Sequence, residues 1–246
     1  MKVAARLLGL GVLALMAAGL TQLPGTKRID PAATGALTGR AVFSGAPPPR
    51  ALLNMSANPV CVQRSGPGIE SEAARIDAGG GIQNVFVYIK LGVDSAYSFD
   101  VPAEPVVLEQ VRCLYAPRVV GVRVGQPLEI VNGDPTLHNT HARPAVNREF
   151  NIGQPIMGMR ATRTFTAPEV MVPFSSDIHP WMAAFVGVVA HPFFAVTTAD
   201  GTFTIRGLPA GEYTVEAWHE LFGRSTRLVT ITPGLNETVT FTFGNR

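Results

Sequence analysis

Apolar and polar positions alternate most cleanly near the C-terminus. Phe203 and Ile205, then Tyr213, Val215 and Ala217, then Val239, Phe241 and Phe243 recur at every second position with polar residues between them. That is the pattern of strands buried on one face. Asp200-Gly201 and Pro209-Ala210-Gly211 supply the intervening turns. Upstream, Ile82 to Leu91 reads as a strand in which Val85, Val87 and Ile89 alternate against Phe86, Tyr88 and Lys90. Another opens over Leu37 to Phe43 and is closed by turn residues at Gly45 to Pro49. Further strands are predicted at 105–111, 118–124, 127–132, 160–166, 169–175 and 183–190, whereas 62–81, polar and ending in Gly79-Gly80-Gly81, reads as a loop. No long amphipathic helix is predicted after the N-terminal run. With 25 glycines and 20 prolines set among β-branched runs, the chain is predicted to be all-β, a β-sandwich protein.

The N-terminus follows a different pattern. Lys2 and Arg6 precede an apolar run from Leu7 to Leu20, and Pro24 and Gly25 follow. The run is short for a membrane span, which needs about 20 apolar residues, and has the size of a signal-peptide core. Residues 1–20 are therefore read as a signal peptide or an uncleaved N-terminal anchor, and 21–36 as a linker. Export to the periplasm or the medium is the expected destination. Removing residues 1–20 takes the formal net charge from +2 to zero, and only 15% of residues are charged. Nothing in that balance favours nucleic acid as a partner.

Two cysteines are present, Cys61 and Cys113. In an oxidising compartment such a pair forms one structural disulfide, worth roughly 2–4 kcal/mol. The competing reading gives Cys113 to a metal as a thiolate; its distance in sequence from the histidine segments weighs against that.

Those segments concentrate the chemistry. His138 and His141 lie in Asn132-Gly-Asp-Pro-Thr-Leu-His138-Asn139-Thr-His141, and His179 in Ser176-Asp-Ile-His179-Pro-Trp-Met182. A histidine and a methionine three residues apart in a tight loop can aim an imidazole and a soft thioether at one point, a donor set that suits copper. Met182 and Trp181 also suit ordinary packing at the end of a sandwich. His141, three residues from His138 in an extended segment, faces away from it and reads as a surface or supporting residue. His191, before Pro192, reads as structural.

The stretch from about 110 to 190 resembles the cupredoxins, most closely the amicyanin-like branch, on His138-Asn139, on Ser176-x-x-His179-x-x-Met182, and on the run Gly125 to Asn132. The resemblance implies a Greek-key β-sandwich and copper held by His138, His179 and Met182. It also implies that Asn139 joins the two ligand loops and that electrons pass to a redox protein partner. Two positions depart from the pattern. Serine stands at 176 where the thiolate ligand is expected, and Arg118 where a histidine often follows the proline. A serine hydroxyl is harder and far less acidic than a thiol. Three readings stay open: weaker copper binding by His138, His179, Met182 and water or His141; an empty site on inherited loops; or another cysteine reaching in, which the disulfide disfavours.

From Ala195 onward, Asp200-Gly201-Thr202-Phe203 followed by Leu208-Pro209-Ala210-Gly211-Glu212-Tyr213 resembles the carboxypeptidase-regulatory-like, transthyretin-like β-sandwich. The resemblance implies a non-catalytic module that docks protein or carbohydrate. The domains are thus read as a cupredoxin-like region over 37–190 and this module over 191–246. The strands within 37–91 are left open to pairing with the module, which would make the cupredoxin unit an insertion. Trp218-His219-Glu220 sets a histidine beside a carboxylate, but the chain carries no nucleophile motif, no H-E-x-x-H and no P-loop. No enzymatic activity is expected.

Overall fold

Phe203, Ile205 and Leu208 are buried while Thr202, Thr204 and Arg206 are exposed, so the two-residue alternation of the C-terminal strands becomes the inside and outside of a sheet. The computed structural model describes residues 27–245. The expected signal segment, residues 1–20, and the start of the linker lie outside that span.

Strand β1 (Thr34–Phe43) precedes the short helix α1 (Pro59–Ser65) and β2 (Phe86–Leu91). Then come β3 (Val106–Val111), β4 (Leu114–Ala116), β5 (Val119–Arg123), β6 (Leu128–Asn132), β7 (His138–Ala142), β8 (Phe150–Gln154), β9 (Arg160–Arg163), β10 (Glu169–Ser175) and β11 (Ala183–Val189). The chain closes with β12 (Phe194–Val196), β13 (Thr202–Pro209), β14 (Gly211–His219), β15 (Gly223–Ile231) and β16 (Asn236–Phe243). The described residues are almost wholly strand and loop, and the sheets stack as β-sandwiches.

One sandwich faces the sheet β5-β11-β10-β7-β8 against β4-β3-β6-β9. Its core includes Leu108, Leu128 and Ile130 from one sheet and Val172, Phe174 and Val186 from the other. The second faces β13-β1-β16 against β12-β2-β14-β15, closing over Leu37, Val87, Ile205, Val215 and Phe241. β1 pairs antiparallel with β13 and parallel with β16, and β2 pairs with β12 and β14. Of the two pairings left open for 37–91, the one with the C-terminal module is therefore the one observed, and the cupredoxin-like region does not begin at residue 37. β1 and β2 complete the C-terminal sandwich, and the strands from β3 to β11 form the other, entered and left through β2 and β12. Alternation shows that a strand is half-buried but not which sheet accepts it.

The sandwiches meet at a seam of Phe86, Tyr88, Val119 and Val189, with Phe185, Phe194 and Trp218 against it. Two glycines make the seam fit. A Cβ on Gly187 would lie 2.4 Å from the Phe86 ring, and one on Gly121 would lie 2.1 Å from the Phe194 ring. Arg118, where the resemblance led to expect histidine, crosses the same boundary. Its guanidinium pairs with Glu220 at 2.5 and 2.7 Å, with both side chains largely buried.

Two further expectations need correction. The linker does not run to residue 36, because β1 begins at Thr34 and Lys27 already bridges to Tyr97. The 62–81 loop overlaps α1, which starts at Pro59 behind an Asn58 cap whose Oδ1 accepts from the amides of Val60 and Cys61. Asparagine at the cap with proline at the first helical position is a start signal readable from sequence. At seven residues the helix is too short to show a period.

Candidate metal centre

His138 opens β7 and His179 lies in the 176–182 loop between β10 and β11. Ser176 shapes that loop: its Oγ accepts from the amides of His179 (3.0 Å) and Ile178 (3.2 Å) and donates to Asn139 Oδ1 at 2.7 Å. The same Asn139 oxygen accepts from the amides of Asp177 and Ile178, so one side chain on β7 fastens the whole His179 loop. The Tyr115 hydroxyl reaches the carbonyls of Asn139 and Ser175 and holds β7 and β10 together from below. With its polar capacity spent on the turn, the Ser176 hydroxyl acts as a loop fastener.

The two imidazoles converge. His138 Nδ1 and His179 Nδ1 are 3.0 Å apart, and both residues are buried. His138 Nε2 lies 3.1 Å from Asp134 Oδ2, and His179 Nε2 lies 2.8 Å from Asn58 Nδ2. The network assigns the tautomers. The Asn58 oxygen is committed to the helix cap, so its amide NH2 donates to His179 Nε2. His179 Nδ1–H then donates to His138 Nδ1, and His138 Nε2–H donates to Asp134.

Burial, and then the neighbouring His138, push His179 down to about 4. Burial alone would raise the Asp134 carboxyl. Hydrogen bonds from His138, from the Cys113 and Arg112 amides and from Arg64 outweigh it and hold the group at about 2. At neutral pH His179 is neutral, as a metal ligand must be, beside a carboxylate.

Met182 is buried in the core, its amide donating to the His179 carbonyl. His141 points to the surface, between Asp177 (3.1 Å) and Glu149 (2.6 Å), and is not directed at the histidine pair. His191 donates to the Ile89 carbonyl. In the other sandwich, His219 is buried and stacked on Phe222, so it and Glu220, paired with Arg118, form no joint site.

Cys61 and Cys113 form the disulfide expected of them, fastening α1 to the turn between β3 and β4. Its place was not legible in sequence: Cys61 Sγ lies 3.7 Å from His179 Nε2. Cys113, Asp134 and His138 each offer a ligand atom within 4.8 Å of the others, and all three residues are buried. Asp134, four residues before His138, is a signal that sequence reasoning passed over. Asn58, 121 residues from His179, has no such signal.

Tested against a blue-copper set, the residues fit in part. Two buried imidazoles turn their Nδ1 atoms toward each other; His138 donates Nε2–H to a carboxylate, as metal-binding histidines do, whereas His179 Nε2 accepts from Asn58. The thiolate is missing, since Ser176 is serine and its hydroxyl is engaged.

The fold and the histidine pair define a protein of two β-sandwiches, one of which carries the pair. Residues 183–244 match the carboxypeptidase regulatory-like domain. That span begins in β11, which the fold places in the histidine-bearing sandwich, and omits β1 and β2. No curated protein matches the chain. Among solved structures it is similar to the Cu-containing nitrite reductase (NirK) from Thermus scotoductus SA-01, with 23% identity and TM-score 0.30 over 41% of this chain and 25% of that one. A methionine-to-alanine mutant of amicyanin in its Cu(I) form is 24% identical, with TM-score 0.30, over 34% of this chain and 80% of amicyanin. The novel purple cupredoxin from Nitrosopumilus maritimus is 23% identical, with TM-score 0.27, over 30% of this chain and 81% of that one. The chain thus spans a quarter of the nitrite reductase.

Proposed function

We propose that this is an exported, non-enzymatic cupredoxin-like protein that binds copper through His138 and His179. Met182 lies in the same loop, and electron transfer to a redox protein partner is the associated role. The observation that carries the proposal is the 3.0 Å approach of two buried Nδ1 atoms from loops that Asn139 locks together. Bound copper would supply a one-electron couple. His138 and His179 would hold it, Asp134 would orient His138, and Asn139 with Ser176 would fix the distance between the loops. Leu137 and Ile178, exposed beside the two histidines, offer a partner apolar surface there. The carboxypeptidase-regulatory-like sandwich serves as the docking module, for protein or carbohydrate. The N-terminal pattern, and a disulfide of the kind that persists in oxidising compartments, support secretion or periplasmic residence in this reading; an uncleaved N-terminal run would make it membrane-tethered.

One observation favours a second reading, a metal-free interaction protein. The chain of hydrogen bonds from Asn58 through His179 and His138 to Asp134 satisfies all four imidazole nitrogens without a metal. Metal analysis of the full exported chain after expression with copper separates the two. The copper reading expects one copper per chain, lost in His179→Ala; a wild type without stoichiometric copper supports the metal-free reading.

A further inference from the structure

We propose that the Cys61–Cys113 disulfide is a redox latch on the histidine pair: closed, it holds His179 in a tautomer that resists metal, and reduced, it frees the site and adds two thiolates. The inference takes its imidazoles from the copper reading and rests on it to that extent.

The latch is α1. Its cap residue Asn58 commits Oδ1 to the Val60 and Cys61 amides, which leaves only the amide NH2 to face His179 Nε2. A nitrogen accepting that hydrogen bond carries no proton, so the proton sits on Nδ1, the atom facing His138. A metal approaching both Nδ1 atoms must displace it, and the displaced proton meets a donor at Nε2. Four ties hold α1 in place: the disulfide, the Arg64–Asp134 ion pair at 3.2 Å, the Ser65 hydroxyl on the Arg112 carbonyl, and the Arg112 guanidinium on the Ser65 carbonyl at 3.0 Å. Only the first is covalent.

The sulfurs stand beside the same rings. Cys61 Sγ is 3.7 Å from His179 Nε2, and the Cys113 sulfur belongs to the buried trio with Asp134 and His138. Cys113 would stay there after reduction, because Asp134 accepts from its amide at 2.7 Å and from that of Arg112 at 3.0 Å. Those bonds fix a turn whose two residues both have φ near +55° (56° and 54°), a geometry that glycine and asparagine otherwise favour. Reduction would add a Cys113 thiolate to Asp134 and His138, which already lie within 4.8 Å of it, and a Cys61 thiolate beside His179 Nε2; sulfur with imidazole suits a soft or borderline d10 cation. Cys113 would thereby supply the sulfur that position 176 lacks.

The step balances. A dithiol reductant of the thioredoxin class attacks one sulfur as a thiolate, and the Cys61–Cys113 bond breaks. A mixed disulfide forms, and the second thiol of the reductant resolves it. The reductant leaves as a disulfide, having passed two electrons and two protons to Cys61 and Cys113. Metal binding then releases the thiol protons to solvent.

Cu(I) is the probe, delivered anaerobically from a chromophoric Cu(I) chelator to the full exported chain. The disulfide form is compared with protein reduced by a phosphine and desalted. Reduction is expected to shift the competition curve to higher chelator concentration and, at one copper per chain, to shield both cysteines from a thiol reagent. Cys61→Ser/Cys113→Ser is expected to remove the shift. Asn58→Asp can still cap α1 and can accept a proton from His179 Nε2, so it is expected to tighten copper binding with the disulfide intact, even if the double serine variant unfolds. Equal curves for the disulfide and reduced forms, with copper bound in both, overturn the latch and leave the copper reading standing. Copper held only after reduction upholds the latch and overturns the copper reading for the disulfide form. No copper in either form overturns both, and an unchanged Asn58→Asp overturns the latch.

Discussion

Replacing Ser176 by cysteine changes one buried atom at the position where the cupredoxin pattern carries its thiolate. In the native chain that atom takes part in three hydrogen bonds, to Asn139 Oδ1 at 2.7 Å and from the His179 and Ile178 amides at 3.0 and 3.2 Å. Sulfur donates and accepts weakly. With each bond worth ~0.5–1.5 kcal/mol, weakening all three costs the metal-free variant about 1–3 kcal/mol. Copper that binds the folded state alone restores about 2.7 kcal/mol at a free concentration 100 times Kd. Urea unfolding with and without Cu(II), together with the visible spectrum, reads both effects. The metal-free variant is expected to unfold at lower urea than wild type. The copper-loaded variant is expected to recover most of that loss and to show an intense blue absorption absent from wild type. A variant that folds, stays colourless and gains no stability from Cu(II) would refute the convergence of residue 176 with His138 and His179.

Three further outcomes test the frame that carries the site. Gly187→Ala drives a methyl group into the Phe86 ring, 2.4 Å from the ideal Cβ; overpacking of this kind costs about 1–3 kcal/mol, and an unchanged thermal midpoint would mean that the seam is loose. Arg118→Met strands the largely buried Glu220 carboxylate and is expected to cost about 3 kcal/mol, of which Arg118→Met/Glu220→Leu recovers most; equal losses for the single and double variants contradict a buried pair. Burial, and then Arg118, depress His219 to about 4 from its ordinary 6.5. Its contribution is therefore complete above pH 6.5 and is lost as pH falls toward 4, by up to about 3 kcal/mol. His219→Asn, which keeps an acceptor but does not titrate, is expected to reduce the slope of the stability profile between those pH values, leaving the part that His179 contributes, and an unaltered slope sinks the assignment.

The strands that were legible in sequence are those whose environment is simple. In β13 and β16 one face meets a core and the other meets water, and the pattern of apolar positions shows it. β2 was legible as a strand but not as a member of its sandwich. Its residues Phe86 to Ile89 are all buried, with Val87 and Ile89 in the core and Phe86 and Tyr88 at the seam. β7, with the sequence His-Asn-Thr-His-Ala, shows no hydrophobic period because its polar side chains are buried in hydrogen bonds. The histidine pair could be read from loop spacing, and the disulfide from having only two cysteines. What could not be read is that α1 brings Asn58 and Cys61 against His179, because nothing local records a contact across more than a hundred residues. Nor does the sequence show that Ser176 is bound into its turn.

The central claim is that His138 and His179 share one metal ion. Electron paramagnetic resonance of the disulfide-bonded wild type loaded with one equivalent of Cu(II), beside His138→Ala and His179→Ala, addresses it most directly. The expected spectrum carries hyperfine coupling to two imidazole nitrogens, with one coupling lost in each variant. An aqueous-copper signal that neither substitution alters would contradict the claim.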